Sequence, residues 1–159
     1  MLKEGTILGL ISDTHGLLRE EAIDALRGSD LILHAGDVGG PEILEALRTI
    51  APVVAVRGNV DTGEWAQTLP LTEVIQAGSV VVYMLHILNN LDINPVVAGM
   101  HIVVSGHSHR PSQTEKGGVI YINPGSAGPK RFRLPATVAR LDLGVKPWKV
   151  EFIQLDDRY

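Results

Sequence analysis

The chain contains no cysteine among its 159 residues. This absence excludes disulfide bonds, thiolate nucleophiles and the thiolate-rich cages of structural zinc. Any bound metal ion must therefore be held by imidazole, carboxylate and amide groups. Such ligands suit manganese, iron, nickel, zinc, cobalt or magnesium.

Long apolar runs and an excess of positive charge are also missing. The longest apolar runs, such as Val80 to Leu85, are far too short to cross a bilayer, and the N-terminal residues do not resemble a signal peptide. The formal net charge of −4 argues against a general nucleic-acid or acidic-membrane binder. We therefore expect a cytoplasmic protein without membrane contact and without a strong nucleic-acid signal, and its homo-oligomeric state stays open.

The first half alternates predicted strands and helices. Hydrophobic residues make up 45% and charged residues 20% of the chain, which is typical of a globular protein, and we expect a single domain over residues 1–159. The predicted strands are Ile7 to Ile11, Leu31 to Ala35 and Val53 to Val56, and the predicted helices are Glu20 to Arg27 and Pro41 to Ile50. This β-α-β-α-β order indicates a parallel sheet with helices packed on it.

The second half is richer in strands. Thr72 to Ala77 and Val80 to Leu85 flank Gly78-Ser79 and predict a hairpin. A short helix is expected from Asn94 to Gly99. Further strands are predicted at Ile102 to Ser105, Val119 to Ile122, Ala136 to Leu143 and Lys149 to Leu155. The whole pattern favours an α/β fold with two sheets packed face to face and helices outside.

Residues able to bind metal ions follow the ends of five predicted strands. They are Asp13 and His15, Asp37, Asn59, His86, and His107 with His109. In open α/β sheets, sites form beyond the carboxyl ends of the strands. Because these seven side chains reach that edge from separate strands, we predict a metal site there.

Each motif taken alone also has a structural explanation. Asp-x-His is common by chance, Gly-Asp and Gly-Asn are frequent turn dipeptides, and a lone histidine such as His86 is more often a hydrogen-bonded core residue. The placement of all these motifs together, after successive strands, is the observation that favours a metal site. Of the remaining histidines, His34 is expected in the core or behind the site, and His101 about 20 Å away by strand rise.

The order Asp-x-His, Gly-Asp, Gly-Asn, His and Gly-His-x-His resembles the calcineurin-like metallophosphoesterases. The strings Arg57-Gly-Asn-Val-Asp61 and Asn123-Pro-Gly-Ser126 are similar to the compact YfcE-like phosphodiesterase branch. The resemblance extends from about Leu8 to Leu143. It implies a four-layer α-β-β-α sandwich, in which two mixed sheets pack face to face between flanking helices.

The resemblance also implies a site with two divalent metal ions. Manganese is the expected metal, and nickel, iron, zinc or cobalt are alternatives. One ion would bind Asp13, His15, Asp37 and His109; the other would bind Asp37, Asn59, His86 and His107. Asp37 would bridge the two ions, and Asp37, Asn59 and His86 would be central to catalysis. The expected reaction is attack of a metal-activated hydroxide on a small phosphodiester.

Two positions depart from the family pattern. Ile87 follows His86 where glycine is common, and Val60 stands where many members carry a histidine that could protonate the leaving group. Asp61, next to Val60, is the remaining acidic group, but two nearby cations would keep it ionised.

Other interpretations stay open. The substrate could be a phosphomonoester or a nucleic acid, or the chain could be a non-catalytic protein-assembly scaffold like the retromer subunit that resembles this family. A structural metal site is disfavoured because such sites are usually closed single-ion cages. Four cations either contact phosphate or are solvated loop charges: Arg57, Arg110, Lys130 and Arg131.

Overall fold

The computed structural model describes residues 3–131 and 133–155, which form two five-stranded mixed sheets and two α-helices. In order across the first sheet, the strands are β10 (Glu151–Gln154), β9 (Thr137–Asp142), β1 (Ile7–Ile11), β2 (Leu31–His34) and β3 (Val53–Ala55). β1, β2 and β3 are parallel, whereas β9 runs antiparallel to both β1 and β10. The predicted parallel first half is thus confirmed.

The second sheet contains the predicted hairpin and one strand that was not predicted. Its order is β4 (Thr72–Ala77), β5 (Val80–Leu85), β6 (Ile102–Val104), β8 (Val119–Asn123) and β7 (Ser112–Lys116). β5, β6 and β8 are parallel, and β4 and β7 pair antiparallel at the two edges. β7 carries the largely exposed sequence Ser-Gln-Thr-Glu-Lys, so no apolar pattern marks it.

The main core lies between the two sheets. Leu8, Leu10 and Leu33 from the first sheet pack into one buried cluster with Val82 and Val104 from the second. Alternate residues of β1 and β2 point to the opposite face, where the helices cover them. Because both faces of these strands are buried, their sequences are continuously apolar rather than alternating.

The helices α1 (Glu20–Leu26) and α2 (Pro41–Arg48) cover the outer face of the first sheet. α2 begins at Pro41. Proline fits the first helical position because an N–H group there would have no acceptor within the helix, so its absence costs no hydrogen bond. Ile43, Leu44 and Leu47 form its buried face. Among the described residues, no helix is long and apolar enough to cross a bilayer.

The outer face of the second sheet is covered by an irregular segment. Tyr83 and Val103 pack there against Leu91, Ile93 and Met100. The helix expected from Asn94 to Gly99 is wrong, because this stretch forms turns rather than a continuous helix. A single i to i+4 bond joins the Ala98 N–H to the Asn94 carbonyl, and Gly99 follows with a φ of 79°. The sandwich architecture itself is confirmed.

Candidate metal centre

All seven residues predicted as ligands lie together where the strands end. His15, His86 and His109 approach the carboxylates of Asp13 and Asp37. The Nδ1 atom of His107 lies 3.1 Å from the Oδ1 atom of Asn59, and the His107 N–H donates to Asp13. The strands therefore bring the seven side chains to one edge, while their role as metal ligands stays a prediction.

The backbone at this edge is strained. Five non-glycine residues in the described part of the chain have positive φ angles, and all five belong to the predicted ligand set: Asp13, His15, Asp37, His107 and His109. Such conformations cost about 1–3 kcal/mol each and persist only where the surroundings enforce them. These conformations bend the chain sharply just beyond the strand ends, where the predicted ligands lie.

The first ligand group comprises Asp13, His15 and His109. Ser12 Oγ donates to Asp13 Oδ2 at 2.6 Å, which leaves Asp13 Oδ1 facing the histidines. The Nε2 atoms of His109 and His15 lie 3.2 Å and 3.6 Å from that oxygen. Asp13 Oδ1 and His15 Nε2 are buried and make no hydrogen bond. Buried polar atoms without partners are rare in native proteins, and the chemistry of these atoms suits a bound cation.

The second ligand group comprises Asp37, His86 and His107. His86 Nδ1 lies 2.7 Å from the Ala35 carbonyl, so it carries the proton and leaves Nε2 available as a ligand. His86 Nε2 is 3.1 Å from Asp37 Oδ2, and His15 Nε2 is 3.7 Å from the same oxygen. Asp37 Oδ2 thus lies between the two groups, as expected of a bridging carboxylate.

The electrostatics of the site favour negative carboxylates. Burial alone would raise the pKa of Asp13, but its interactions with His15 and Ser12 and the nearby imidazoles lower that pKa below its usual value. Burial also opposes ionisation of Asp37, yet its contact with His86 lowers the pKa of this carboxyl. Burial would lower the pKa of His86, but the same two carboxylates raise it.

The donor spacing fits divalent cations. Metal–ligand bonds of about 2.0–2.2 Å place neighbouring donors about 3.0–3.6 Å apart in octahedral or tetrahedral coordination. The contacts between the carboxylate oxygens and the imidazole nitrogens span 3.1–3.8 Å. A mixed nitrogen and oxygen set of this kind suits manganese, iron, zinc, nickel or cobalt.

Asp61 anchors the loops that carry Asp37 and Asn59. It is 5% exposed, and its carboxylate accepts hydrogen bonds from the N–H groups of Val38 at 3.2 Å, Gly39 at 3.0 Å and Gly58 at 2.9 Å. Both oxygens of Asp61 are therefore occupied by backbone donors from the two loops. Asp61 is therefore a structural anchor and is poorly suited to act as a general acid.

The Asn123–Ser126 motif holds the other loops of the site. Asn123 Nδ2 donates to the Gly106 carbonyl at 3.0 Å and lies 3.1 Å from Ser108 Oγ, which fixes the loop that contains both His107 and His109. Ser126 Oγ donates to the Asp13 carbonyl at 3.1 Å. In the sequence, this motif only contributed to the family resemblance. In the structure, its hydrogen bonds position the loops that carry Asp13, His107 and His109.

The two remaining histidines, His34 and His101, lie outside both groups of candidate ligands. His34 is fully buried, with Nε2 3.0 Å from Thr14 Oγ1 and Nδ1 accepting the Gly36 N–H. Because Thr14 donates its own proton to the Val38 carbonyl, His34 must donate from Nε2 and is neutral. Burial lowers the pKa of His34 to about 4. His101 instead precedes β6, where its Nδ1 accepts the Val81 N–H and its ring packs near Trp148.

Glycine is needed at two positions because of close approach. A Cβ on Gly106 would lie 2.1 Å from Ser12 Oγ and 2.7 Å from Asp13 Oδ2, and a Cβ on Gly58 would lie 2.1 Å from Asp37 Oδ1. The constraint on Gly106 is space, because its loop packs directly against Ser12 and Asp13.

The predicted phosphate-contacting cations are not equivalent. Arg57 lines a cleft beside Asn59 and donates to Gln67 Oε1 at 3.3 Å. The positive charge of Arg131 contributes to lowering the pKa of His109, after the larger effect of burial. Arg110, Lys130 and Arg131 are all exposed, whereas Arg57 is half-buried. Arg57 and Arg131 are thus the better candidates of the four.

Comparisons with known proteins agree with this geometry. A model of the calcineurin-like phosphoesterase superfamily domain matches residues 7–146. A probable metallophosphoesterase of Methanothermobacter thermautotrophicus is 34% identical over 149 residues, which cover 86% of each protein. YfcE, a phosphoesterase from E. coli, has a similar structure with a TM-score of 0.69 at 24% identity, covering 94% of this chain and 100% of that chain. Wild-type Vps29 of Entamoeba histolytica, complexed with Zn²⁺, gives a TM-score of 0.63 at 25% identity, covering 94% and 99%.

Proposed function

The chain belongs to the calcineurin-like phosphoesterase superfamily, and from this premise we propose that it is a phosphodiesterase that hydrolyses small phosphodiesters at a dinuclear metal centre. The observation that carries the proposal is the pair of ligand groups, Asp13–His15–His109 and Asp37–His86–His107, that meet around Asp37. Manganese is the proposed metal, because the donors are imidazole and carboxylate without thiolate.

Two divalent ions, when bound, supply Lewis-acid activation of water and neutralise charge on the phosphoryl group. The chain's own residues would hold and orient the two ions. Asp13 and Asp37 provide the negative charge, and their outer oxygens are fixed by Ser12 Oγ and by the Val60 N–H. His86 is oriented through the Ala35 carbonyl, which leaves its Nε2 atom available to bind a metal ion. Asn59 and His107 face solvent, so they would form the substrate side of the centre.

Metal removal and restoration test this proposal directly. The protein should be treated with a strong chelator, shown by elemental analysis to be free of metal, and assayed with bis(p-nitrophenyl) phosphate before and after adding Mn²⁺, Ni²⁺ or Co²⁺. We expect no activity in the metal-free protein and restored activity with at least one ion. Full turnover by verified metal-free protein would refute the dinuclear mechanism.

A protein-assembly scaffold is the second candidate. The structural similarity to Vps29, which is complexed with Zn²⁺ in the Entamoeba histolytica structure, supports it. Binding of a metal ion does not by itself establish catalysis. Turnover separates the two candidates. A scaffold would bind Mn²⁺ or Zn²⁺ at the same residues yet hydrolyse none of a panel of diesters and monoesters. Cytoplasmic location, homo-oligomerisation and the single domain over residues 1–159 stay predictions.

A further inference from the structure

Two neighbouring clefts open beside the candidate metal centre. The first, the His107 cleft, has a volume of about 260 Å³ and lies beside His107 and Ser108. The second, the Asn59 cleft, has a volume of about 300 Å³ and lies beside Asn59 and His86. Because each cleft includes predicted metal ligands, a phosphoryl group held at the centre would lie next to both clefts.

Ile87 is the side chain that the two clefts share. It follows His86 directly, is half-buried and lines both clefts, whereas the other residues that line each cleft are different. A glycine here, as the family pattern commonly has, would offer no side chain as a wall. Ile87 therefore separates two compartments that begin at the same phosphoryl position.

The clefts differ in chemistry. Apart from His107, the described residues that line the His107 cleft carry no ionisable group except the Tyr121 phenol, and hydroxyl groups of Ser108, Ser112 and Thr114 are prominent. The Asn59 cleft combines the apolar side chains of Leu71 and Leu85 with Arg57 and Asp92. The first suits a neutral hydroxyl-bearing group and the second suits a flat apolar group with polar edges.

We propose that the two clefts bind the two ester groups of an acyclic phosphodiester, with Ile87 as the wall between them. This inference rests on the proposed function and narrows its substrate class. A monoester has only one ester group and could fill only one cleft. A diester that joins a hydroxyl-rich alcohol to an apolar or aromatic alcohol would fill both.

Binding of esters that react slowly tests the clefts without requiring turnover. The probes are diphenyl phosphate, which has two large groups, and methyl phenyl phosphate, which has one. Their dissociation constants would be measured by calorimetry on the manganese-loaded protein. Leu71→Trp should fill the Asn59 cleft, and Thr114→Trp should fill the His107 cleft; both residues are exposed, so the fold has room for the change.

Each single variant should bind diphenyl phosphate about tenfold more weakly, which corresponds to about 1.4 kcal/mol. Methyl phenyl phosphate should weaken similarly in Leu71→Trp, which blocks the cleft suited to its phenyl group. It should change by less than about twofold in Thr114→Trp, which blocks only the cleft that would hold its methyl group. The double variant should weaken both ligands. Val74→Trp and Glu115→Trp are matched controls, since these exposed residues lie on or near the same strands but line neither cleft. Thermal midpoints would check the folding of each variant.

Equal losses for the two ligands in both single variants, or unchanged diphenyl phosphate binding in either one, would overturn the inference. Hydrolysis of bis(p-nitrophenyl) phosphate by the wild type would be measured in parallel. If the binding pattern is observed without any turnover, the proposed function is wrong, but the assignment of the two ester groups to the two clefts is supported. If turnover is present without the binding pattern, only the assignment of the clefts fails.

Discussion

Replacing Asp61 with asparagine tests whether one buried carboxylate holds the two loops of the site. The change keeps the shape of the side chain but removes its charge and converts one oxygen into a donor. Asp61 Oδ2 accepts from Val38 and Gly58, and Oδ1 accepts from Gly39. Asparagine can satisfy at most two of these three N–H groups, because its amide nitrogen must face the third.

The magnitude follows from the bonds that are lost or weakened. A hydrogen bond to a charged group contributes about 1.5–3 kcal/mol, and a buried donor left without a partner costs about 1–3 kcal/mol. One bond is lost outright and two lose their charge assistance. We therefore expect Asp61→Asn to lower the free energy of unfolding by about 2–4 kcal/mol.

Urea unfolding of the metal-free protein at pH 7 measures this effect without interference from metal binding. Manganese titration should in addition show weaker binding, because Asp37 and Asn59 lie on the loops that Asp61 joins. Asp30→Asn is the matched control. Asp30 is exposed and accepts a single backbone N–H, from Ile7 at 2.8 Å, so its replacement should cost less than about 1 kcal/mol.

Wild-type stability in Asp61→Asn would refute the anchoring role. A variant that keeps its stability and its metal affinity but loses one limb of the pH profile of kcat/KM would identify Asp61 as a proton donor. That result would also contradict the hydrogen-bond assignment, in which both oxygens are occupied by backbone donors.

Three further predictions concern the ligands, the leaving group and acid stability. Asp37→Asn should reduce the bound metal at both positions, His86→Ala should empty one, and His101→Ala should change neither, as measured by metal content per chain. Val60 cannot donate a proton, and general acid help is worth about 10²–10⁴-fold, so kcat/KM should fall steeply across aryl esters of rising leaving-group pKa; a flat series with rate-limiting chemistry would reveal an acid. His34 has a folded pKa of about 4 against 6.5 unfolded, so stability is full above pH 6.5 and falls as pH drops toward 4. Urea unfolding should show a loss of about 2 kcal/mol from pH 7 to pH 5, and His34→Gln should remove most of it.

The positions of the predicted ligands could be derived from the sequence because parallel strands align their carboxyl ends. Asp13 and Asp37 follow β1 and β2, so a correct assignment of the strands was sufficient to place both residues at one edge. His86 was harder, since an isoleucine follows it where the resemblance leads one to expect glycine. Strand length nevertheless separated it from His101, which lies before β6 rather than after it.

The supporting residues could not be assigned roles in the same way. Asp61 and Asn123 bond to backbone groups that are distant in sequence, and no spacing rule identifies such partners. Asp61 in particular looked like the remaining candidate acid beside the site. β7 was missed for a related reason: an exposed edge strand needs no apolar alternation, because its pairing with β8 comes from the backbone.

The strain in the ligand loops explains why so many buried polar residues surround the centre. Asp13, Asp37 and His107 adopt left-handed backbone conformations that cost free energy in every folded molecule, with or without metal. Asp61 and Asn123 offset that cost through hydrogen bonds that form only when the loops are in place. These anchors hold the predicted ligands in place through contacts that do not themselves involve a metal ion. A site organised in this way depends on its anchors as much as on its ligands, and the loss of an anchor should be visible as weaker metal binding even where all seven donors remain.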